Sequence, residues 1–313
     1  MPCFGHGIYT GHIIRPTQVM DAAMSSSTST RLAATGIVYL EGADAAGFLR
    51  NQLTNDVRRL GPDRHFLAAW CDAKGRTQMV ARVVATSDGW YLLMPREILP
   101  AAVKRLTMYV LRDDVRIHDV SDTTELVGHI DHAEAPDVGV TVATDERLHI
   151  GLESTIDGCR RSLSILLNRE ADDATPSDEA LWRLSGIDAG VPDIGLATQG
   201  EFVPQMLNLH WLMAIDFDKG CYPGQEVVAR LHYRGRLTRR IFRLQADGAP
   251  PMPGTLVTDA DNNKVGMVIE AEAADETTTR LLAVVAVDRI SEAIQLADAR
   301  RLAPLDLPYA TPA

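Results

Sequence analysis

The sequence predicts an α+β protein, and three observations carry that reading. From about residue 32 the apolar period changes in the order strand, helix, hairpin, helix, strand. That order lays helices on an antiparallel sheet and lacks the alternation of a doubly wound βαβ chain. From about residue 241 the text becomes short β runs cut by Pro250-Pro-Met-Pro-Gly254 and Asp261-Asn-Asn263, as in a small β-barrel or sandwich. Finally, 313 residues with 46% hydrophobic and 23% charged content suffice for two or three units, each with a core.

Residues 1–31 show no helical or strand period and contain the run Ser25 to Thr30, so a disordered tail is expected there. Met24 is an alternative start. A transit peptide is the weaker reading of the tail, with few acids but only two arginines. Ile37 and Tyr39 mark a strand. Asp44 then caps a helix whose stripe is Leu49, Leu53, Val57 and Leu60, stopped by Gly61-Pro62. Phe66–Cys71 and Thr77–Ala85 form a hairpin about the turn Asp72–Gly75, and Ser87-Asp-Gly89 turns into Trp90–Met94. A second helix carries Leu99, Val103, Leu106 and Val110, and Val115–Asp119 returns as a strand. Residues 120–175 read as strands and loops with a further helix near 154–168. A helix from near Ser177, through Trp182 and Leu184, ends at Gly190 before Pro192. The domains expected are thus the tail 1–31, an α+β region 32–240 and a β-barrel 241–313.

The net charge of −11 disfavours general affinity for nucleic acid or anionic membrane, since a field of that sign repels phosphate. One segment departs from it. Residues 219–243 hold Lys219 and six arginines (Arg230, Arg234, Arg236, Arg239, Arg240, Arg243) against the single acid Glu226. Cys3, Cys71, Cys159 and Cys221 form no CxxC pair, so neither a zinc site nor a disulfide framework is read. No run approaches the ~18 apolar residues of a membrane helix, and no export signal is read at the N-terminus. A cytoplasmic protein is expected, with no membrane partner and no direct nucleic-acid partner.

The densest motif is Lys219-Gly-Cys-Tyr-Pro-Gly-Gln-Glu226. Gly220 and Gly224 suit a tight loop and close backbone approach. A thiol in such a loop, near the Lys219 ammonium, is expected to be accessible and to ionise readily. The alternative is a small cysteine packed as a hydrophobe.

Three blocks together resemble the YgfZ-type folate-binding proteins, relatives of the glycine-cleavage T-protein. They are Gly42-Ala-Asp44 with Phe48-Leu49 and Gln52–Val57; Trp70–Gly75; and Gly190-Val-Pro192 through Glu201–Asn208 into Lys219–Glu226 and Tyr233-Arg-Gly235. The resemblance implies three subdomains around a central folate pocket, closed on one side by the C-terminal barrel. It implies tetrahydrofolate as ligand, no permanent metal, and a role in assembling or repairing iron–sulfur clusters of client enzymes, including a radical enzyme that thiolates tRNA.

On that resemblance Cys221 and Lys219 are the candidate catalytic residues, and Trp182 lines the folate pocket. Asp188 stands where the T-protein pattern has a glutamate that pairs with the pterin amino edge. Gly220, Tyr222, Gln225, Glu226, Arg230 and Arg236 complete the candidate folate contacts, and no metal ligands are expected. A second ring-contacting tryptophan of the family falls near Thr35. The arginine run has three readings: a solvated face, a dock for the folate glutamate tail, or an RNA contact. The alternative function is a folate-dependent aminomethyltransferase or demethylase. Against it, the T-protein pattern places a catalytic aspartate just past the glycine matching Gly75, where this chain reads Thr77-Gln-Met-Val80.

Overall fold

The computed structural model describes residues 27–167 and 178–311. In chain order the first elements are β1 (Thr28–Arg31), β2 (Thr35–Glu41), α1 (Ala45–Gln52), β3 (His65–Cys71), β4 (Thr77–Ala85) and β5 (Gly89–Pro95). Then come α2 (Leu99–Thr107), β6 (Arg116–Asp119), β7 (Glu125–Ile130), β8 (Thr141–Ala143), β9 (Arg147–Leu152) and β10 (Arg161–Leu166). After α3 (Ala180–Asp188) and α4 (Gln225–Arg234) follow β11 (Arg239–Asp247), β12 (Leu256–Thr258), β13 (Lys264–Ala273), β14 (Thr278–Ala286), β15 (Gln295–Leu296) and β16 (Ala303–Leu305).

These strands make three antiparallel sheets, ordered β3-β4-β5-β2-β6, β1-β7-β10-β9-β8 and β15-β12-β13-β14-β11-β16. The first is covered by α1 and α2, through Phe48, Leu49, Leu99 and Leu106 against Ala68, Trp70, Met79, Ala81 and Val83. Its other face is buried as well. There Leu67, Ala69, Cys71 and Val80 pack on Ile187, Leu207, Tyr222 and Leu282. Burial on both faces is why β3 and β4 read as almost unbroken apolar text rather than alternating text. The third sheet curls, its edge strands drawn together by a bridge between Gln295 and Arg301. Its core is Phe242, Leu244, Val257, Val268, Leu281 and Val285.

The hairpin and both early helices form where their patterns place them, with five differences along the chain. Residues 1–26 of the expected disordered tail lie outside the described residues, but Thr28–Arg31 pair with Val127–Ile130 as an edge strand. The first helix ends at Gln52, because Leu53 turns extended (ψ 160°) and bridges Trp70. Val57 and Leu60 follow in and beside a short 3₁₀ turn. The helix expected near 154–168 is instead the strand β10, in which Leu163 and Ile165 enter the core while Ser162 and Ser164 bond His149 and His129. That is a period of two, which the apolar count obscured. The start expected near Ser177 lies outside the described residues, and α3 begins at Ala180. Finally, the segment after Gly224 is the helix α4, not a continued loop.

Candidate functional site

The Lys219–Gly224 loop is built into the end of α1. The Lys219 ammonium, only 6% exposed, donates to the carbonyls of Arg50, Leu53 and Asn55 and lies 4.8 Å over the Tyr222 ring. The first two are carbonyls that a terminating helix leaves without intrahelical partners. Burial pulls the ammonium down to about 8, still protonated at neutral pH. Thr54 supports the same junction, donating to Ala214 O at 2.7 Å and accepting from Ala69 N at 2.8 Å. Gly224, at φ +80°, approaches the hairpin turn so closely that a Cβ would stand 2.5 Å from Gly75 Cα and 2.6 Å from Asp72 O. Parts of all three sequence blocks therefore meet in one packed junction. The Lys219 ammonium is spent on three backbone carbonyls of this junction, with Tyr222 beneath it. Cys221 itself is exposed, whereas Cys71 is buried and its thiol is pushed up to about 12.

The other predicted contacts divide by position. Tyr222 is buried in the core, its hydroxyl pKa raised by burial. Gln225 reaches back to Lys219 O at 3.4 Å. Glu226 and Arg230 are exposed on α4, of which only Val228 is buried. Asp188 is not free to pair with a ring. Arg243 donates to Oδ1 at 2.9 Å (Nε) and 2.8 Å (Nη2), and Arg280 takes Oδ2, so this carboxylate clamps α3 to the third sheet. Trp182 has Arg161 at 4.6 Å over its ring and Gly128 packed against it. It borders a narrow annex of about 90 Å³ that Thr35 also lines.

The annex adjoins a larger chamber of about 450 Å³, and Leu67 and Arg82 line both. All three sheets contribute to the chamber: His65–Leu67 and Arg82 from the first, Glu153–Thr155 after β9 of the second, and Pro308–Tyr309 after β16 of the third. Trp211 to Met213 complete the wall. Met213 is 78% exposed and left-handed (φ +55°), an unfavourable state for a residue with a Cβ, and it sits at this rim. The Tyr309 hydroxyl donates to Gly190 O at 2.8 Å, holding the C-terminal segment over the site.

The chamber charges are fixed. Arg82 donates to Glu153 Oε2 at 2.5 Å and meets His65 Nδ1 at 3.2 Å. His65 Nε2 lies 2.9 Å from Gly151 O, and a carbonyl only accepts, so Nε2 carries the proton and Nδ1 accepts from Arg82. Burial and the Arg82 charge hold His65 down to about 3, hence neutral. Glu153 is held below its ordinary value by Arg82, despite its burial, and is ionised. Asp193 lines the annex, and its backbone N donates to Glu270 Oε1 at 3.2 Å. Partial burial raises the Glu270 carboxyl well above its ordinary value, and the neighbouring Asp193 adds to the rise. Asp193 itself is exposed at the annex wall. Such an arrangement can accept N–H donors on Glu153 and stack rings on Trp211 and Tyr309. Sequence reasoning missed His65, Arg82, Glu153, Asp193, Trp211 and Tyr309. Only Asp193, directly after the quoted Gly190-Val-Pro192, stood next to a recognised block.

No family model matches the chain. An uncharacterised protein of Haemophilus influenzae is 35% identical over 209 residues, covering 66% of this chain and 69% of that one. The tRNA-modifying protein YgfZ of Vibrio vulnificus is 32% identical over 232 residues, 71% of each chain. That of Yersinia pestis is 29% identical over 279 residues, 82% and 84%. Among solved structures, glycine cleavage system aminomethyltransferase T of Bartonella henselae superposes with a TM-score of 0.68 at 13% identity, over 90% of this chain and 86% of that one. The fold is T-protein-like.

Proposed function

The chain belongs to the YgfZ family, and from that premise we propose that it is a reduced-folate-binding accessory protein for iron–sulfur enzymes, including one that modifies tRNA. The observation that carries the folate part is the chamber built jointly by the three sheets, with one ionised carboxylate and aromatic walls. Its volume is within the range of about 300–1,000 Å³ usual for small-molecule sites. We assign Glu153 to accept the donor edge of the pterin ring, oriented by Arg82, which His65 holds in turn. Trp211 and Tyr309 flank the ring, and Asp193 stands nearby in the annex. Tetrahydrofolate, when bound, brings nucleophilic ring nitrogens that carry one-carbon units. This chain contributes the binding and orientation. Three subdomains enclosing this pocket are part of the same proposal.

Cys221 has a separate place in the reading. It is an exposed thiol on a loop fixed by Lys219, Gly224 and Tyr222, and so is presented outward without being flexible. We assign it to the client side of the reaction, in contact with the enzyme whose cluster is assembled or repaired. The aminomethyltransferase alternative lacks its carboxylate, since β4 carries Thr77, Gln78 and Met79 where that group would stand. The test is complementation of a strain lacking its own copy, read as thiolated tRNA by mass spectrometry. Wild type restores the modification, while Cys221→Ser and Glu153→Gln restore little. Full restoration by Cys221→Ser would remove the thiol from the reading.

A further inference from the structure

Of the ten residues of α4 only Val228 is buried. A surface helix is ordinarily held by an apolar stripe against the core, and α4 is held by point contacts instead. Gly224 fixes its start against the 72–75 turn, Gln205 Nε2 donates to Val228 O at 2.6 Å, and His232 stacks on Phe217 at 3.7 Å between ring centroids. At about 3.6 residues per turn, Val228 and His232 share the inner side. Tyr233, Glu226, Arg230, Arg234 and Val227 then fill an arc of about 120° on the outer one. All five are exposed.

This outer face is apolar in part and its cations are unpaired. Tyr233 is 64% exposed and Val227 39%. Elsewhere exposed arginines sit on acids, Arg58 on Asp56 at 2.9 Å and Arg59 on Asp216 at 2.8 Å. Among the described residues no acid lies within ion-pair distance of Arg230 or Arg234. The face also runs up to the exposed thiol. Cys221 precedes the Gly224 cap by three residues, and Val227 packs so closely on Gly75 that a Cβ there would stand 2.9 Å from its own. Exposed Lys74, beside that glycine, adds a third cation. Cys221 thus stands at one end of a strip about 15 Å long.

The side chains of the strip favour a protein as its occupant. Tyrosine and arginine carry much of the binding energy in protein interfaces, and guanidinium forks match carboxylates. A nucleic acid asks for an unbroken track of phosphate contacts. Here Glu226 interrupts the track next to the thiol, in a chain of net charge −11.

Building on the accessory-protein reading, we propose that the outer face of α4 docks an acidic surface of the iron–sulfur client enzyme. Carboxylates of the client pair with Arg230 and Arg234, Tyr233 and Val227 are covered, and the client's cluster site comes to lie opposite Cys221.

The test uses the full-length protein carrying Tyr233→Ala together with Arg234→Glu. Its binding to the purified iron–sulfur enzyme that thiolates tRNA in the same cell is followed by biolayer interferometry at low and high salt, and its complementation is read as thiolated tRNA. Circular dichroism and tetrahydrofolate titration check that the fold and chamber are kept. The wild type is expected to bind the client, less tightly in high salt because the paired charges are solvated. The double variant should bind about tenfold more weakly or worse, restore little modification, and bind tetrahydrofolate as the wild type does. Full restoration by the double variant, with Cys221→Ser still failing, would overturn the docking face and leave the accessory role standing. Wild-type binding to unmodified tRNA that the double variant loses, with client binding unchanged, would give the face to RNA and overturn the proposal. Failure of the wild type itself to restore the modification would overturn both readings.

Discussion

Replacing Lys219 with methionine separates two roles that the sequence alone confuses. Methionine keeps most of the volume and removes the charge. The carbonyls of Arg50 and Leu53 then lose their donor inside a buried junction, and the longer contact to Asn55 O at 3.2 Å goes as well. Each buried carbonyl left unpaired costs about 1–3 kcal/mol, and losing the cation over Tyr222 adds about 0.5–1 kcal/mol. Release of the ammonium's own desolvation offsets part of this. The net loss should be about 3–5 kcal/mol, within the range seen when a buried charge network is broken. Urea unfolding followed by circular dichroism measures it, as a lower midpoint at unchanged slope. Cys221→Ser is the control, an exposed substitution worth no more than about 0.5 kcal/mol. If Lys219→Met kept its stability to within about 1 kcal/mol and yet lost complementation, the helix-terminating role would be refuted and the lysine returned to the chemistry of Cys221.

Four further outcomes follow from the same contacts. Asp188→Asn should destabilise by about 3–5 kcal/mol, because it strands the buried Arg243. A thermal melt reads the loss, and folate affinity at low temperature should change little. Gly224→Ala demands a strained φ near +80° and puts a methyl against the 72–75 turn, so about 2–4 kcal/mol should be lost, with faster proteolysis of the 219–224 loop. Native alkylation should label Cys221 first and Cys71 only on unfolding, and early labelling of Cys71 would contradict the packing of β3. Acid should weaken the fold in a defined window. His65 is held to about 3, and His129 and His210 to about 4, chiefly by burial, so the unfolded chain takes up protons first as pH falls below about 6.5. The stability their neutral state confers is whole above about 6.5 and declines toward 4. The urea midpoint across that range measures this decline, which His129→Gln should make shallower.

Local chemistry explains which parts of this structure could be read in advance. The β3–β4 hairpin is legible because Asp72 closes its own turn, accepting from the amides of Lys74 and Arg76. The C-terminal strands are legible because proline and glycine punctuate them. The end of α1 is not, since Leu53 continues the helical stripe and only a lysine 166 residues later in the chain stops the helix. Helix α4 was hidden by its charge, with one buried residue, although Gly224 and Gly235 at its two caps were a usable signal. The Cys221 loop was found because its glycines and lysine are contiguous in sequence. The chamber was missed for the opposite reason: His65, Arg82, Glu153, Trp211 and Tyr309 meet only after three sheets have packed, and each alone reads as an ordinary strand or loop residue.

The central claim is that a reduced folate binds in the chamber, and calorimetric titration of the wild type and Glu153→Gln with tetrahydrofolate tests it most directly, with circular dichroism confirming that the variant is folded. The account predicts saturable binding at one site per chain, weakened at least tenfold in Glu153→Gln, on the scale of a hydrogen-bonded charge, and unchanged in Cys221→Ser. Failure of the wild type to bind, or a folded Glu153→Gln that binds as tightly as wild type, would contradict it.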